Sequence, residues 1–370
     1  MHIPLLILSH RPVQIIRPLH RYFSISTSTM ATKSKVQSLP SAAPPLKLYA
    51  TVKDFRDHRR ALLKQSTNVG FIPTMGALHA GHLSLMRRAA HECEAVVVSI
   101  FVNPAQFAPT EDLDVYPRTL EADITAIENL NQELEKSDAK GRVESLFVPT
   151  VSEMYPSGIP QVEAEQRGAF VTVQPLASKL EGITRPHFFR GVATICTKLF
   201  NIVQPDRAYF GQKDVQQSVV LKRMVKDLHM SLEIQVCDTG REKDGLAMSS
   251  RNVYLGVKRR KVAPVLYKTL RAVEKAYWAQ VDKGAKKVRT SSVLEAGLNV
   301  LDGAMGSDGV NWELEYLSLA DPVELEELSE IDVREGAILS AALKMLPTSS
   351  EEAPVRLIDN IILKAAADAK

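Results

Sequence analysis

The chain has 370 residues, of which 45% are hydrophobic and 24% charged, an ordinary composition for a soluble globular protein of two or three domains. Its three cysteines are far apart and form no C-x-x-C pair, which excludes a disulfide scaffold and a zinc ribbon. The formal net charge of +3 misleads, because the stretch before Asp54 has no acid and the remainder has a small excess of acid. We therefore expect no nucleic-acid partner, and without a run of about 18 apolar residues we expect no membrane span.

The N-terminal segment, residues 1–47, is predicted to be an extension outside the fold. It has no acidic residue and is rich in Arg, Ser and apolar residues, which is typical of a mitochondrial transit peptide. Residues 38–45 have the Ser, Ala and Pro composition of a linker. The segment predicts a location in the mitochondrial matrix. The alternatives are an untargeted tail and a cytoplasmic form, which translation from Met30 would produce.

From residue 48 to residue 239, short apolar runs alternate with helical patterns. Strands are predicted at 69–73, 95–102, 145–149, 207–210 and 232–236, and helices at 83–90, 119–135, 191–203 and 214–228. The near-continuous apolar run at 95–102 suits a strand that is buried on both faces of a parallel sheet. The polar stretch 129–142 is predicted to be an extended helix end or a surface insertion. The alternation predicts an α/β fold with a doubly wound, Rossmann-like parallel sheet.

The alternation stops near residue 240, and a smaller C-terminal α+β lid domain is predicted for residues 240–370. Helices are expected at 257–283 and 291–303 and a strand at 312–317, and the segments 337–346 and 355–362 complete the α+β region. The basic run Lys258-Arg-Arg-Lys261 is predicted to form a solvated helix face. Cys196 is predicted to be buried on a helix, and Trp278 and Trp312 are predicted to lie in a core or an interface.

The first candidate site is the run from Pro73 to His82, at a strand-to-helix junction. Ligands of open α/β sheets bind at the carboxyl ends of strands, and the free N–H groups at a helix start suit phosphate. Gly76 and Gly81 allow close backbone approach to a ligand, and His79 and His82 can donate hydrogen bonds to phosphate oxygens. A zinc site is a weaker alternative, because no third ligand lies nearby in the sequence.

Two later segments carry groups that suit a nucleotide triphosphate. Lys213 can place a charge on a phosphate, and Asp214 can hold a phosphate-bound Mg²⁺. Asp214 and Gln217 also have the spacing of a capping box, which needs no ligand. The run Ser249–Arg251 can wrap a triphosphate with hydroxyl and guanidinium donors, or can simply cap the next helix.

Two loops carry weaker candidates. Asn103 and Gln106 follow the second strand, and their amides suit hydroxyl and carboxylate groups, although Asn-Pro is also a common turn pair. Arg185, His187 and Arg190 precede a helix, where they can meet an anion or form a solvated rim.

Taken in order, these strings resemble the pantothenate synthetase (pantoate–β-alanine ligase) family of HIGH-type nucleotidyltransferases. The strings are T-M-G-A-L-H-x-G-H, F-V-N-P-x-Q-F, R-P…F-R-G-V, F-G-x-K-D-x-Q-Q and D-G-L-A-M-S-S-R-N, and Arg356-Leu-Ile-Asp-Asn360 follows near the end. The resemblance implies ATP-dependent condensation of (R)-pantoate with β-alanine to pantothenate, AMP and pyrophosphate through a pantoyl adenylate. It also implies Mg²⁺ with ATP, no tightly bound organic cofactor, and a homodimer.

The resemblance assigns roles to residues that match the motifs. His82 is implied to be the proton donor, with His79 and Lys213 as further catalytic groups. Gln106 is implied to contact pantoate and β-alanine. Asn103 and Gln217 are implied to contact pantoate, and Arg185 also matches. The residues implied to bind ATP are Met75, Gly76, His79, Gly81, His82, Gly211, Gln212, Lys213, Asp214, Gly240, Met248, Ser249, Ser250 and Arg251.

Three positions depart from the family pattern, and three other functions stay open. Gln212 stands where bacterial members have Glu, His187 stands one place before the usual His, and Gly240 stands where relatives usually have a larger residue that contacts adenine. The alternatives are an adenylyltransferase that keeps the nucleotide on its product, a tRNA-charging enzyme and a non-catalytic ATP-binding scaffold. Free AMP as a product would distinguish the ligase from the adenylyltransferase.

Overall fold

The structure is a computed structural model that describes residues 45–65, 67–109 and 111–365. Residues 1–44, which include nearly all of the predicted transit peptide and Met30, lie outside the described residues. From Pro45 onward the chain forms one compact unit. No helix within the described ranges is both long enough and apolar enough to cross a membrane.

The first half of the described chain alternates strands and helices. Its elements are β1 (Lys47–Tyr49), α1 (Val52–Lys64), β2 (Val69–Thr74), α2 (Ala80–Glu92), β3 (Ala95–Ile100), α3 (Leu120–Leu134), β4 (Arg142–Phe147), α4 (Val151–Met154), α5 (Glu181–Thr184), α6 (Phe188–Val203), β5 (Arg207–Gly211), α7 (Val215–Asp227) and β6 (Glu233–Cys237). The six strands form one parallel sheet in the order β1-β4-β3-β2-β5-β6. The predicted parallel α/β sheet is therefore confirmed.

The strand order locates the ligand crevice. From β2 the chain moves outward through β3 and β4, and then returns to place β5 on the other side of β2. This reversal is a topological switch point, where an open α/β sheet leaves a crevice at the carboxyl ends of its strands. The loops that follow β2 and β5 carry two of the predicted motifs, so the fold brings them to one place.

The start of the fold differs from the prediction. Lys47–Tyr49 form an edge strand that pairs in parallel with β4, and α1 follows directly. Thr51 caps α1 by accepting from the N–H of Asp54, and the buried face includes Phe55 and Leu62. The sequence analysis missed both elements, and for β1 the reason is that a three-residue edge strand has too few residues to show a period.

The stretch 129–142 agrees only in part with its prediction as an extended helix end or a surface insertion. Helix α3 ends at Leu134, a turn follows, and β4 begins at Arg142, three residues earlier than predicted. Asn131 is buried, and its amide side chain donates to the carbonyl of Val143 and accepts from its N–H. This polar residue is therefore part of the packed interior, because its two hydrogen bonds offset the cost of burying the amide.

The second half forms a smaller α+β region, as predicted. Its elements are α8 (Gly256–Val262), α9 (Val265–Val281), β7 (Lys287–Arg289), α10 (Thr290–Ala304), β8 (Trp312–Ala320), β9 (Glu330–Asp332), β10 (Ala337–Met345) and β11 (Val355–Leu363). Strands β11, β10 and β8 form an antiparallel sheet, and α9 and α10 share a hydrophobic core with it. Cys196 and Trp312 are buried, as predicted. The division into domains at residue 239 stays a prediction.

The basic run at 258–261 is not wholly a solvated face, which corrects the prediction. Arg259 is only 2% exposed, and its guanidinium donates to the carbonyls of Leu255, Tyr254 and Ala353. These acceptors explain how a cation can be buried at this position. The expected single helix 257–283 is divided into α8 and α9, where Pro264 precedes the start of α9.

Candidate active site

A cavity of about 1110 Å³ lies at the switch point and extends toward the C-terminal region. It brings together residues from all the motifs that the sequence analysis identified. The predicted site residues in its wall are Met75, His79, Gly81, His82, Asn103, Gln106, Arg185, Gly211, Lys213, Asp214, Gln217, Gly240, Met248, Ser249, Ser250 and Arg251. Gly76 and Gln212 are not among the residues that line it, and neither is His187, which pairs with Glu163 instead.

The loop after β2 is held by a buried carboxylate that the sequence analysis did not predict. Asp123 of α3 accepts from the N–H groups of Ala77, at 3.0 Å, and Leu78, at 2.8 Å. Gly76 and Ala77 both have positive φ angles, of 85° and 50°. Ala77 therefore has a conformation that L residues rarely adopt, and the hydrogen bonds to Asp123 help to maintain it. Gly76 does not line the cavity. A Cβ added at this position would lie 3.1 Å from the Asp123 carboxylate, so the loop has little room for a side chain there.

The two histidines lie together at the start of α2. Their ring centroids are 4.1 Å apart. The Nδ1 atom of His79 accepts from the N–H of Gly81, and the Nδ1 atom of His82 accepts from the N–H of His79. Because each Nδ1 is an acceptor, the proton of each neutral ring is on Nε2. The local backbone thus gives both rings an N–H donor for a ligand.

The electrostatic environment keeps both rings neutral at pH 7. Burial lowers the pKa of His82 to about 3, and the neighbouring His79 and Lys213 act in the same direction. Burial also lowers the pKa of His79, again with Lys213 contributing. Without a bound anion, these residues are therefore hydrogen-bond donors rather than cations.

Asn103 and Gln106 have different surroundings. Asn103 is buried, and its side chain accepts from the hydroxyl of Tyr155 at 2.7 Å and donates to the carbonyl of Gly191 and to Oε1 of Gln106. These bonds occupy its polar atoms, so Asn103 is suited to orienting Gln106 more than to binding a ligand itself. The Gln106 amide also donates to the sulfur of Met75, which links the loops after β2 and β3.

The loop after β5 is braced by the last strand. Asn360 of β11 donates to the carbonyls of Gln212 and Lys213, each at 2.8 Å, and accepts from the Gln212 side chain. The Gln212 side chain therefore faces Asn360, which explains why it does not line the cavity. Lys213 reaches the wall, with its Nζ atom 3.4 Å from the carboxylate of Asp214.

The segment 249–251 reaches the loops on the other side of the cavity. Ser250 donates to the carbonyl of Ala77, and Arg251 forms a two-bond ion pair with Asp112. Gly240 packs against the start of α2, where an added Cβ would lie 3.2 Å from Cα of Gly81. This close approach favours a small residue at position 240.

A buried ion pair connects α5 to the C-terminal sheet and was not predicted as part of the site. Arg356 of β11 lines the cavity and donates two hydrogen bonds to Glu181, at 2.5 and 2.6 Å. The hydroxyl of Tyr316 also donates to Glu181, and Arg356 also pairs with Glu315. The only sequence signal was the match of Arg356–Asn360 to the family, which does not reveal the partner in α5.

The family of this chain follows from comparison with known proteins. The sequence model of the Pantoate-beta-alanine ligase family matches residues 47–362. A pantoate–β-alanine ligase of Saccharomyces cerevisiae is 42% identical over 324 residues, which cover 86% of this chain and 100% of that protein. A pantothenate synthetase of Roseiflexus castenholzii is 44% identical over 321 residues, with 86% and 100% coverage.

Solved structures agree with the sequence relatives. Crystalline pantothenate synthetase from Thermus thermophilus has a TM-score of 0.69 at 38% identity, and the match covers 86% of this chain and 100% of that one. A Francisella tularensis pantoate–β-alanine ligase complexed with beta-gamma ATP and beta-alanine has a TM-score of 0.62 at 30% identity, with 86% and 97% coverage. The chain therefore belongs to the pantoate–β-alanine ligase family, and it is an enzyme.

Proposed function

We propose that this cavity performs both half-reactions of the ATP-dependent condensation of (R)-pantoate with β-alanine. The main support is that two neutral histidines, Lys213 and the Gln106 amide line a single cavity at the switch point. This combination suits a phosphate and a small hydroxy acid side by side. Membership of an enzyme family argues against a passive scaffold, which would bind ATP without turnover.

In the first half-reaction, a carboxylate oxygen of pantoate attacks the α-phosphorus of ATP. The bond from that phosphorus to pyrophosphate breaks, and pantoyl adenylate forms. Negative charge builds on the phosphate oxygens in the transition state, where the Nε2–H groups of His79 and His82 and the ammonium of Lys213 stabilise it. No protein nucleophile is required, so positioning of the two substrates supplies much of the remaining rate.

His82 acts first as a neutral donor. The bound polyphosphate raises its pKa from about 3, since a nearby anion favours the protonated ring. His82 can then pass a proton to the leaving pyrophosphate. Gln106 holds the pantoate carboxylate in line, while Asn103 fixes the Gln106 amide and Gln217 completes the acid subsite.

In the second half-reaction, the neutral amine of β-alanine attacks the acyl carbon of the adenylate. The bond from carbon to the AMP oxygen breaks, the nitrogen loses a proton, and pantothenate and AMP leave. Gln106 lies next to both substrates. The segment 249–251 and the C-terminal region border the cavity and reduce the access of water, which would otherwise hydrolyse the adenylate.

The donor set near the phosphates fits a metal that arrives with the nucleotide. Among the described residues, no group of three His, Cys, Asp or Glu side chains could hold a metal ion, while Asp214 offers a single, partly exposed carboxylate in the cavity wall. This arrangement suits Mg²⁺, which is commonly bound by one or two carboxylates together with substrate phosphates. Asp214 would hold the Mg²⁺ that arrives with ATP, and the ion would supply positive charge that neutralises the phosphates. No tightly bound organic cofactor is part of this proposal.

The proposal includes a homodimer and a mitochondrial location. The homodimer rests on family membership and is tested by sedimentation of the purified chain, where a monomer at micromolar concentration would contradict it.

The mitochondrial location rests on the acid-free composition of the N-terminal extension. Residues 1–47 fused to a fluorescent protein should direct it to mitochondria, and cytoplasmic fluorescence would favour the alternative location. No nucleic-acid or membrane partner is proposed.

The experiment that tests the reaction is AMP release from ATP with D-pantoate and β-alanine, with each substrate omitted in turn. The expected result is AMP only when both are present, with pantothenate identified by mass. A product that retains the nucleotide would favour an adenylyltransferase. A folded protein that binds ATP and releases no AMP would favour the scaffold.

A further inference from the structure

Two adjacent acids at the edge of the cavity each hold an arginine from a distant part of the chain. The acidic pair, Glu111 and Asp112, lies in the loop before α3. Glu111 accepts from Nε and Nη2 of Arg185, at 2.6 and 2.7 Å, and Asp112 accepts from Nε and Nη2 of Arg251, at 2.9 and 2.8 Å. All four residues line the cavity.

Both arginines bind their acid through the same edge of the guanidinium, which carries Nε and Nη2. Within the described part of the chain, the Nη1 atoms of Arg185 and Arg251 have no hydrogen-bond partner. Each planar group is also in contact with aromatic rings. The Arg185 guanidinium lies 3.9 Å from the centroid of the Phe188 ring, and that of Arg251 lies about 6 Å from Phe107. Bidentate pairing and ring contact fix the orientation of a guanidinium, so each arginine can present its remaining N–H donors in one direction.

The two arginines serve different sides of the cavity. Arg251 follows the two serines, Ser249 and Ser250, in the segment that is assigned to the triphosphate. Arg185 donates through Nη2 to the backbone carbonyl of Gln106, at 3.3 Å, and so lies beside the residue assigned to the hydroxy acid. The acidic pair therefore connects both substrate subsites through neighbouring positions of one loop.

Partial burial makes these ion pairs stronger than ordinary surface pairs. The side chains of Arg185 and Glu111 are 15% and 23% exposed, and those of Arg251 and Asp112 are 33% and 26% exposed. Salt and water screen such pairs less than fully exposed ones. Burial opposes ionisation of Asp112, but its hydrogen bonds and proximity to Arg251 outweigh this and lower the pKa of its carboxyl group. The pair of Asp112 and Arg251 is therefore ionised at neutral pH.

We propose that Glu111 and Asp112 are positioning residues of the ligase reaction: Asp112 orients Arg251 toward the triphosphate, and Glu111 orients Arg185 so that it supports Gln106 in the acid subsite. This inference rests on the proposed function of the cavity. The competing explanation is that the acidic pair only attaches the loop before α3 to the rest of the protein.

The decisive experiment measures kcat and KM for AMP release with Asp112→Asn, Arg251→Gln and the double variant. Asp112→Asn frees a guanidinium that keeps its charge but loses its orientation. We expect kcat to fall about 10- to 100-fold, the range of a hydrogen bond to a charged group, while KM for ATP stays the same or falls. In the Arg251→Gln background, Asp112→Asn should have no further effect on kcat. Independent, multiplicative effects of the two changes would overturn the proposal, as would an unchanged kcat in Asp112→Asn.

Glu111→Gln tests the other half of the proposal. Because Arg185 supports Gln106, we expect KM for pantoate to rise about 10-fold while KM for ATP is unchanged. An equal rise in both KM values would indicate general loosening of the loop and would contradict separate roles. Asp114→Asn is the matched control, since Asp114 is exposed, lies on the same loop and undergoes the same change of charge. It should behave as the wild type.

A binding measurement separates this inference from the proposed function. Calorimetry with inorganic pyrophosphate reports on Arg251 whether or not the protein turns over. Asp112→Asn removes a competing anion, so we expect pyrophosphate to bind about 3- to 10-fold more tightly than to the wild type. Equal or weaker binding would overturn the role of Asp112. A wild type that releases no AMP would overturn the proposed function alone.

Asp112→Glu keeps the carboxylate and serves as a second variant if Asp112→Asn unfolds. It should retain an intermediate kcat.

Discussion

Two regions of the cavity are stabilised by different kinds of contact. We call them the floor, which contains His79, His82 and the loop before them, and the mouth, which contains Arg185 and Arg251. At the floor, His79 and His82 are fixed by backbone N–H groups within the first turn of α2, and the loop before them is fixed by buried Asp123. At the mouth, Arg185 and Arg251 are fixed by partly exposed carboxylates far away in the sequence. The hydrogen bonds that hold the neutral histidines are insensitive to an incoming anion, whereas the ion pairs at the mouth can exchange partners with one.

This difference fits the needs of the two parts. In the proposed reaction, the floor faces the α-phosphate, where charge develops in the transition state and fixed donors are most effective. At the mouth, Arg251 faces the end of the triphosphate, which must enter as ATP and leave as pyrophosphate, while Arg185 supports the acid subsite. Four predictions test or sharpen this contrast, and they are ordered from the largest expected effect to the smallest.

Removing a floor histidine should have the largest effect. His82→Ala deletes an N–H donor at the reacting phosphate, and we expect kcat for AMP release to fall about 10²- to 10³-fold, as for other donors to a developing oxyanion. His91→Ala is the control, because His91 lies at the far end of α2. A loss of less than tenfold would mean that the mouth provides most of the stabilisation.

Asp123→Asn should have the next largest effect. An amide can accept only through its one oxygen, so one of the N–H groups of Ala77 and Leu78 loses its partner. We expect a loss of about 1–3 kcal/mol in the free energy of unfolding and a fall in kcat of about tenfold. Asp138→Asn, at a 98% exposed side chain, is the control for the change of charge. If stability falls and kcat does not, the loop is not what positions the histidines.

The low pKa of His82 predicts that the unliganded protein loses stability in acid. The folded-state pKa is about 3 and the ordinary value is 6.5, so below pH 6.5 the unfolded chain binds a proton that the folded protein does not. The stabilising effect of a neutral His82 is complete above pH 6.5 and decreases as the pH falls toward 3. Denaturant titration at pH 7 and pH 5 should show a loss of about 1–2 kcal/mol that depends on His82. His82→Asn should lose less between these two pH values, and an identical loss in both proteins would contradict the assignment.

Salt should have the smallest effect, and it should act at the mouth. Because the arginines there are partly exposed, we expect KM for ATP to rise about 3- to 10-fold between low and roughly 0.5 M salt. The kcat value should change little, because the two histidines at the reacting phosphate are neutral and are held by backbone N–H groups, which salt does not screen. The measurement is initial rates across a KCl series, with sulfate avoided because it competes with phosphate. A fall in kcat with constant KM would reverse the roles of floor and mouth.

The same contrast explains which parts of the structure could be predicted from the sequence. The strands β2, β3 and β5 and the two histidines depend on local patterns, and the sequence contains them. The partners of Arg185 and Arg251 are 74 and 139 residues away, and no local pattern encodes that distance. The sequence analysis placed Asp123 only within a predicted helix, although its carboxylate holds a loop 46 residues away.

Two errors of prediction had different causes. Helix α1 follows Thr51, which caps it, and its apolar residues recur at helical spacing, so the pattern could have been found. Arg259 was assigned to a solvated face because its neighbours are basic, yet its burial depends on carbonyls that only the folded chain brings near. Charge runs describe composition and do not determine which member of the run is turned inward.

The bracing of the Lys213 loop by Asn360 has a consequence for synthesis of the protein. The two carbonyls that Asn360 holds belong to a segment that is translated nearly 150 residues before it. A nascent chain can therefore form the parallel sheet and the histidine pair well before its phosphate-binding loop is supported. This loop gains its support only after β11 has been translated and has joined the sheet, so the proposed adenylation follows assembly of the cavity that protects the adenylate from water.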